Sequence, residues 1–447
     1  MSRASRVRRA TTASAATTEP PKAAARATSW PARAPRVLPA ARLGAALLAL
    51  PALALAAPGP ASAAAPPVAP PTAEEARLDR AVPQEILRRS GFGTAAAEFG
   101  DALHASRSYG AAERAVVRHG ARLWQRAVDR VQGRGPAGGD LSRDDDRPLY
   151  WARLSLTREL RAWQPAFGLP ADARARLLER LETASRGQDA IRFPPGKGVK
   201  RVLVTGFDPF TLDRDVRISN PSGAAALALD GTLVRTADGT PARIETAVFP
   251  VRWQDFADGT VERTLRPHLP SVDLFTTVSQ GRPGRFDIER FNGAWRGGFA
   301  DNENLSSTGP VPVADPASQP QWTTTTLPYG AIVAADTGRF PVYDNTTVTE
   351  VPQGGTAPVV RPAGPTPGSA ARAGGGGDYL SNEIAYRATL LRDRLGRPDL
   401  PGGHVHTPVL RFGAGNTDAV TDPEFLRNRA DITAQVRAIV AVALRGR

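Results

Sequence analysis

Residues 374–377 are four glycines, and after Asp378 they run into Tyr379-Leu380-Ser381-Asn382-Glu383; further on comes Gly403-His404-Val405-His406-Thr407-Pro408. A serine hydroxyl acts as a nucleophile only with a base in hydrogen-bond reach and a group that orients the base. Histidine is the usual base near neutral pH. The chain has five histidines and no cysteine, which excludes disulfides, thiolate metal sites and thiol catalysis. On a strand, His404 and His406 face the same side, a spacing that also suits a metal ion. His104, His119 and His268 lie in unrelated contexts, so no metal is expected there. Asp144-Asp145-Asp146 is an acidic trio that could also suit a metal, but it is read as a solvated loop or helix start because charge runs face water. No Gly-x-Ser-x-Gly elbow is present, which argues against an ordinary α/β-hydrolase. Gly196-Lys197-Gly198 lacks the strand-then-glycine order of a phosphate loop and reads as a linker.

The elements that must hold these groups alternate in type. Val202, Leu203 and Val204 form a short apolar run, the mark of a buried parallel strand. Asn220-Pro221-Ser222 opens an Ala/Leu-rich helix, with Pro221 suited to its first turn. Further strands are expected at 244–249, 274–278 and 405–410, and helices at 254–265, 382–392 and 422–444, the last capped by Thr421 with Glu424. The alternation predicts an α/β fold over 200–447, an open sheet with helices on both faces. Residues 304–376 break the rhythm with Pro, Gly, Thr and Ser and read as an irregular insertion. Before this lies an all-helical domain, 73–192. There Val116, Gly120, Leu123, Ala127 and Val131 recur at helical spacing, and Leu177, Leu178 and Leu181 follow Pro170.

The net charge of +13 is unevenly spread, since residues 1–63 carry nine Lys/Arg and one acid. The remainder is close to balanced, so nucleic acid is not an expected partner. Residues 1–63 have the parts of a secretory signal: an arginine-rich stretch to Arg42, an apolar stretch over 43–57, and Ala61-Ser62-Ala63 for cleavage. The apolar stretch is short for a bilayer and Pro51 interrupts it, so the mature form is expected off the membrane. Export with cleavage near Ala63 is the expectation, and a cytoplasmic location the alternative. Residues 64–72 read as a Pro/Ala linker.

Four ordered segments across 200–447 resemble pyroglutamyl peptidase I, also called pyrrolidone-carboxylate peptidase. Val204-Thr205-Gly206-Phe207-Asp208-Pro209-Phe210 with Asn220-Pro221-Ser222 is similar to the family's opening strand and turn, although Thr211-Leu212 stands where Gly-Gly is usual. Val278-Ser279-Gln280-Gly281 through Glu289-Arg290 is similar to its Gly/Arg-rich loop, one residue shorter, and Ala300-Asp301-Asn302-Glu303 to its Pro-Asp-Asn-Glu stretch. The Tyr379 and His404 segments match its nucleophile and histidine motifs, with Ser381 at the cysteine position. The resemblance implies that Ser381 attacks, His406 carries the proton and Glu289 orients the imidazole, a Ser–His–acid triad. It implies that Phe207, Phe210 and Gln280 hold a lactam ring, which suits a flat ring between aromatic faces. The implied reaction removes N-terminal pyroglutamyl residues from peptides, which are then its partners, with no cofactor. The alternative is a catalytically silent homologue that binds such termini. No sequence feature indicates an oligomeric state.

Overall fold

The computed structural model describes residues 70–196, 198–236 and 239–444, so the expected signal segment and most of the linker lie outside the described residues. Six helices come first: α1 (Ala73–Ala76), α2 (Ala81–Ser90), α3 (Ala95–His104), α4 (Tyr109–Val131), α5 (Arg147–Ala162) and α6 (Ala171–Ser185). Thr72 and Glu75 close a capping box on α1, and Ser108 caps α4. The stripe of Val116, Leu123 and Ala127 is buried against α5 and α6 through Trp124, Trp151, Leu177 and Leu181. That core does not stop at the helices, for Leu212, Ala226, Leu227 and Val248 belong to the same cluster.

The α/β part follows in chain order: β1 (Lys200–Phe207), α7 (Pro221–Leu229), β2 (Leu233–Arg235), β3 (Pro241–Phe249), α8 (Trp253–Ala257), α9 (Thr260–Leu265), β4 (Leu274–Gln280) and β5 (Phe286–Glu289). Next come β6 (Phe291–Gly293), β7 (Trp295–Gly297), β8 (Thr308–Pro310), β9 (Trp322–Thr324), α10 (Tyr329–Ala334), β10 (Val342–Asn345), β11 (Val348–Val351), β12 (Val359–Arg361) and β13 (Ala370–Ala373). The chain closes with α11 (Leu380–Arg394), β14 (Gly402–Thr407) and α12 (Pro423–Ala443). The main sheet has seven strands in the order β10-β5-β14-β4-β1-β3-β2. Its centre, β14-β4-β1-β3, is parallel, while β5 runs antiparallel to β14 and β2 antiparallel to β3. On one face α7, α10 and α12 pack on Val202, Val204, Leu274 and Val405; on the other α8, α9 and α11 pack on Leu203, Ala247 and Phe275. The fold is thus an open α/β sheet covered on both faces and preceded by a helical region.

Three expectations change. Residues 304–376 are irregular only in part: β10 is an edge strand of the main sheet, and β12-β11-β13 form a small sheet of their own. Strands of three or four residues broken by Pro and Gly are too short to show alternation in sequence. The cap of α12 is Asp422, which accepts from Phe425 N at 2.8 Å, not Thr421. The acidic cluster is a helix start but not solvated, since Asp145 and Asp146 are buried. Asp145 pairs with Arg147 at 2.5 Å and Arg429 at 3.3 Å, and Asp144 with Arg429 at 2.8 Å. Asp146 accepts from Ser219 Oγ and, at 2.9 Å, from Asn220 N. These carboxylates meet donors across the seam between the helical and α/β parts, contacts that no local pattern reveals.

Candidate active site

Ser381 lies in the first turn of α11, whose apolar residues Leu380, Ile384, Ala388 and Leu391 anchor it to the sheet. Glu383 N is bonded to Tyr379 O at 3.1 Å, so the N–H groups of Leu380, Ser381 and Asn382 precede the first intrahelical bond. Such groups carry the positive end of the helix dipole and suit a developing oxyanion. Asn382 fixes this helix start on β6: its Oδ1 accepts from Gly293 N at 2.9 Å and its Nδ2 donates to Gly293 O at 2.8 Å. Glu383 is structural, buried against Arg296 at 2.6 Å and Arg387 at 2.8 Å.

His406 and Glu289 come together on the neighbouring strands β14 and β5. His406 Nδ1 is 2.7 Å from Glu289 Oε1, and both side chains are buried. A carboxylate on one imidazole nitrogen fixes the tautomer and leaves the other nitrogen free to take a proton. The glycine run is what lets the chain pass this pair. A methyl group on Gly375 would lie 2.1 Å from Glu289 Oε2, and one on Gly376 would lie 3.1 Å from His406 Cε1. Gly376 therefore sits between the imidazole and the serine. Its carbonyl accepts from Ser381 Oγ at 3.0 Å, and no hydrogen bond joins Ser381 to His406.

Phe207, Phe210, Gln280, Tyr379 and Ser381 line one small cavity, together with Asn220, Val251, Ser279 and Leu380. Its volume is about 30 Å³, roughly the share of one water molecule in the liquid. Phe207 stacks on Phe256 at 6.1 Å, and Phe210 leans on Tyr379 at 6.2 Å. Burial, with the nearby Asp301 carboxylate, pushes the Tyr379 phenol well up, so it stays neutral. Gln280 Oε1 accepts from Leu410 N at 3.2 Å. Thr211, where the resembled family has glycine, takes a φ of +58°, a left-handed backbone that strains a β-branched residue. A wider cleft of about 610 Å³ beside α6 and α9 is lined by Arg180, Glu113, Arg263 and Glu179, which already pair with one another.

Sequence reasoning missed a Ser–His contact elsewhere in the cavity wall. His404 is fully buried between Thr277 Oγ1 at 2.7 Å and Ser279 Oγ at 2.8 Å, with its ring edge-on to His406 at 4.6 Å. Burial, then the neighbouring His406, pushes the imidazole well below its ordinary pKa and keeps it neutral. Ser279 faces the same cavity, but no carboxylate stands behind His404 to stabilise an imidazolium. Strand register, β14 against β4, was the only sequence-level route to this pair. Among the described residues no group of three His, Asp or Glu is arranged to hold a metal.

The helical region reaches the back of the cavity wall. Asp208, next to Phe207, is buried between Arg153 at 2.6 Å and Arg186 at 2.7 Å. Asn220, which lines the cavity, donates to Asp208 O at 2.9 Å and is held through its backbone by Asp146.

Fold and site together define an α/β protein with a buried His–Glu pair beside a helix-borne serine, braced by an N-terminal helical region. The chain belongs to the PA0049 family: the family's N-terminal domain matches residues 56–182 and its C-terminal domain residues 201–313 and 339–411. The Pseudomonas aeruginosa protein PA0049, itself uncharacterized, is 34% identical over 492 residues, covering 82% of this chain and 88% of that one. Among solved structures, the pyrrolidone carboxyl peptidase from Thermococcus litoralis overlays 55% of this chain and 93% of its own at 19% identity and a TM-score of 0.38. The pyroglutamyl peptidase I from Bacillus amyloliquefaciens overlays 54% and 95% at 21% identity and a TM-score of 0.36.

Proposed function

We propose that this protein is a serine hydrolase that removes N-terminal pyroglutamyl residues from peptides. The observation that carries the reading is the buried bond between His406 Nδ1 and Glu289 Oε1, set beside Ser381 at a helix N-terminus. In the reaction the Ser381 hydroxyl turns from Gly376 O to His406 and attacks the pyroglutamyl carbonyl carbon. His406 takes the hydroxyl proton and passes it to the leaving amine, and Glu289 steadies the imidazolium. The first-turn N–H groups of α11 receive the oxyanion. Water then attacks the acyl-serine ester, with His406 again as base, and frees pyroglutamate. The lactam lies between Phe207 and Phe210 with Gln280 at its polar edge, which requires the small cavity to widen as substrate enters.

A second reading, a silent binder of pyroglutamyl termini, is favoured by the Ser381–Gly376 bond, which leaves the nucleophile turned from its base. A hydroxyl depends on that base far more than a thiol does. Incubation with a pyroglutamyl chromogenic amide, beside Ser381→Ala, separates the two. Release of chromophore by the natural chain alone supports the hydrolase. Calorimetric binding of a pyroglutamyl peptide with no release supports the binder, and neither signal defeats both.

A further inference from the structure

We infer that Asn345 is a positioning residue for the Glu289–His406 pair, an inference that rests on the hydrolase reading for its catalytic consequence. Asn345 ends β10, in the stretch whose sequence shows only Pro, Gly and Thr punctuation. The parallel register of β10 on β5 sets Asn345 directly beside Glu289, so the two side chains share one face. Asn345 Nδ2 donates to Glu289 Oε2 at 2.7 Å and to Gly375 O at 3.1 Å. Its Oδ1 accepts from Thr347 N at 3.3 Å, which fixes which end of the amide faces the acid. All three residues, Asn345, Glu289 and His406, are buried.

Each oxygen of Glu289 therefore has its own donor, His406 on Oε1 and Asn345 on Oε2. With the amide in place the carboxylate cannot swing about its last torsion, and Oε1 stays on His406 Nδ1–H. Without it, that torsion is broad and roughly two-fold, and the orienting bond is made only part of the time. The same amide ties the acid to Gly375, and hence to the turn whose next carbonyl, Gly376 O, receives Ser381. Asn345 thus holds the orienting acid and the nucleophile turn at one fixed separation. It touches no reacting atom.

The test is imidazole NMR on the ¹⁵N-labelled full chain, with the His406 Nδ1–H proton assigned by its loss in His406→Gln. The natural chain is expected to show this proton in slow exchange with water. Asn345→Ala should broaden it away. Asn345→Asp, which keeps the shape, should lose it near neutral pH by setting two carboxylates together. It should recover it in acid, where the new carboxyl is protonated and donates to Glu289 in place of the amide. A packing role alone does not predict that recovery. If the natural chain cleaves the pyroglutamyl amide, kcat should fall roughly 10- to 100-fold in Asn345→Ala with KM unchanged. An undisturbed Nδ1–H signal in Asn345→Ala, or no recovery in acid for a folded Asn345→Asp, overturns the inference. If the NMR behaves as expected while no amide is cleaved by any form, Asn345 keeps its role and the hydrolase reading falls.

Discussion

The Ser381 hydroxyl donates to the Gly376 carbonyl at 3.0 Å, and the same glycine presents its α-carbon to the His406 ring. Gly376 is thus both the resting acceptor of the nucleophile and the spacer that sets its distance from the base. An oxygen is smaller than a sulfur, so a frame of this kind holds a serine farther from its base than it would a cysteine. Ser381→Ala is expected to abolish pyroglutamyl amide hydrolysis. Ser381→Cys should raise the rate and make it sensitive to iodoacetamide, which the natural chain, having no cysteine, should ignore. Full activity in Ser381→Ala would remove Ser381 from the mechanism.

Two serines face the cavity beside a histidine, and only one has an acid behind its base. Ser279 lies against His404, which is buried, neutral and backed by Thr277 alone. A fluorophosphonate probe followed by peptide mass mapping is therefore expected to mark Ser381 and spare Ser279. Labelling on Ser279 would mean that His404 serves as a base without a carboxylate, and the assignment of His406 and Glu289 would have to be abandoned.

Asp208 joins two buried guanidiniums of the helical region to the strand that carries Phe207. Burial alone would raise its pKa, but the Arg153 and Arg186 charges outweigh burial and lower it. A lowered carboxylate stabilises the fold at neutral pH, and that contribution is lost as pH falls through the lowered value. Asp208→Asn removes the carboxylate that both buried arginines share and leaves them Glu182 alone, which should cost about 3 kcal/mol. Urea unfolding at pH 7 measures it, and the deficit against the natural chain should shrink in acid. A loss under about 1 kcal/mol would show that the seam depends on apolar packing instead.

Asp146 behaves with the opposite sign. Burial, then the neighbouring Asp145 charge, pushes its carboxyl up to about 6. Between the ordinary carboxylate value, near 4, and about 6 the folded chain binds more protons than the unfolded one, so this group subtracts stability as pH rises. Asp146→Asn keeps an oxygen for Asn220 N and can donate to Ser219, yet carries no charge to desolvate. Its Tm relative to the natural chain should therefore be higher at pH 7.5 than at pH 4. Scanning calorimetry at the two values decides it, and a difference that does not change with pH would remove Asp146 from the pH response.

Much of the frame was legible in order along the chain. The apolar run at Val202, the proline-started helix at Pro221 and the stripes of α4 and α6 are local periodicities, set by which side chains a strand or helix must bury. Ser381, His406 and Glu289 were named by motif; His406 stands on a strand expected there and Ser381 at the start of an expected helix, whereas the strand that carries Glu289, β5, was not anticipated. Absence of cysteine alone settled that any nucleophile here is not a thiol.

Tertiary structure decided what depends on two distant segments meeting. The bond of Asn345 to Glu289 needs the register of a four-residue edge strand, Val342–Asn345, too short to announce itself by alternation. The burial of Asp145 needs Arg147 and, from α12, Arg429, and that of Asp146 needs Ser219 and Asn220, so a charge run that reads as solvated becomes part of the core. The turn of Ser381 toward Gly376 O is a contact that the motif by itself does not indicate. Sequence fixes which groups are available for such contacts, and only packing, which sets distances to tenths of an ångström, determines which pair is made.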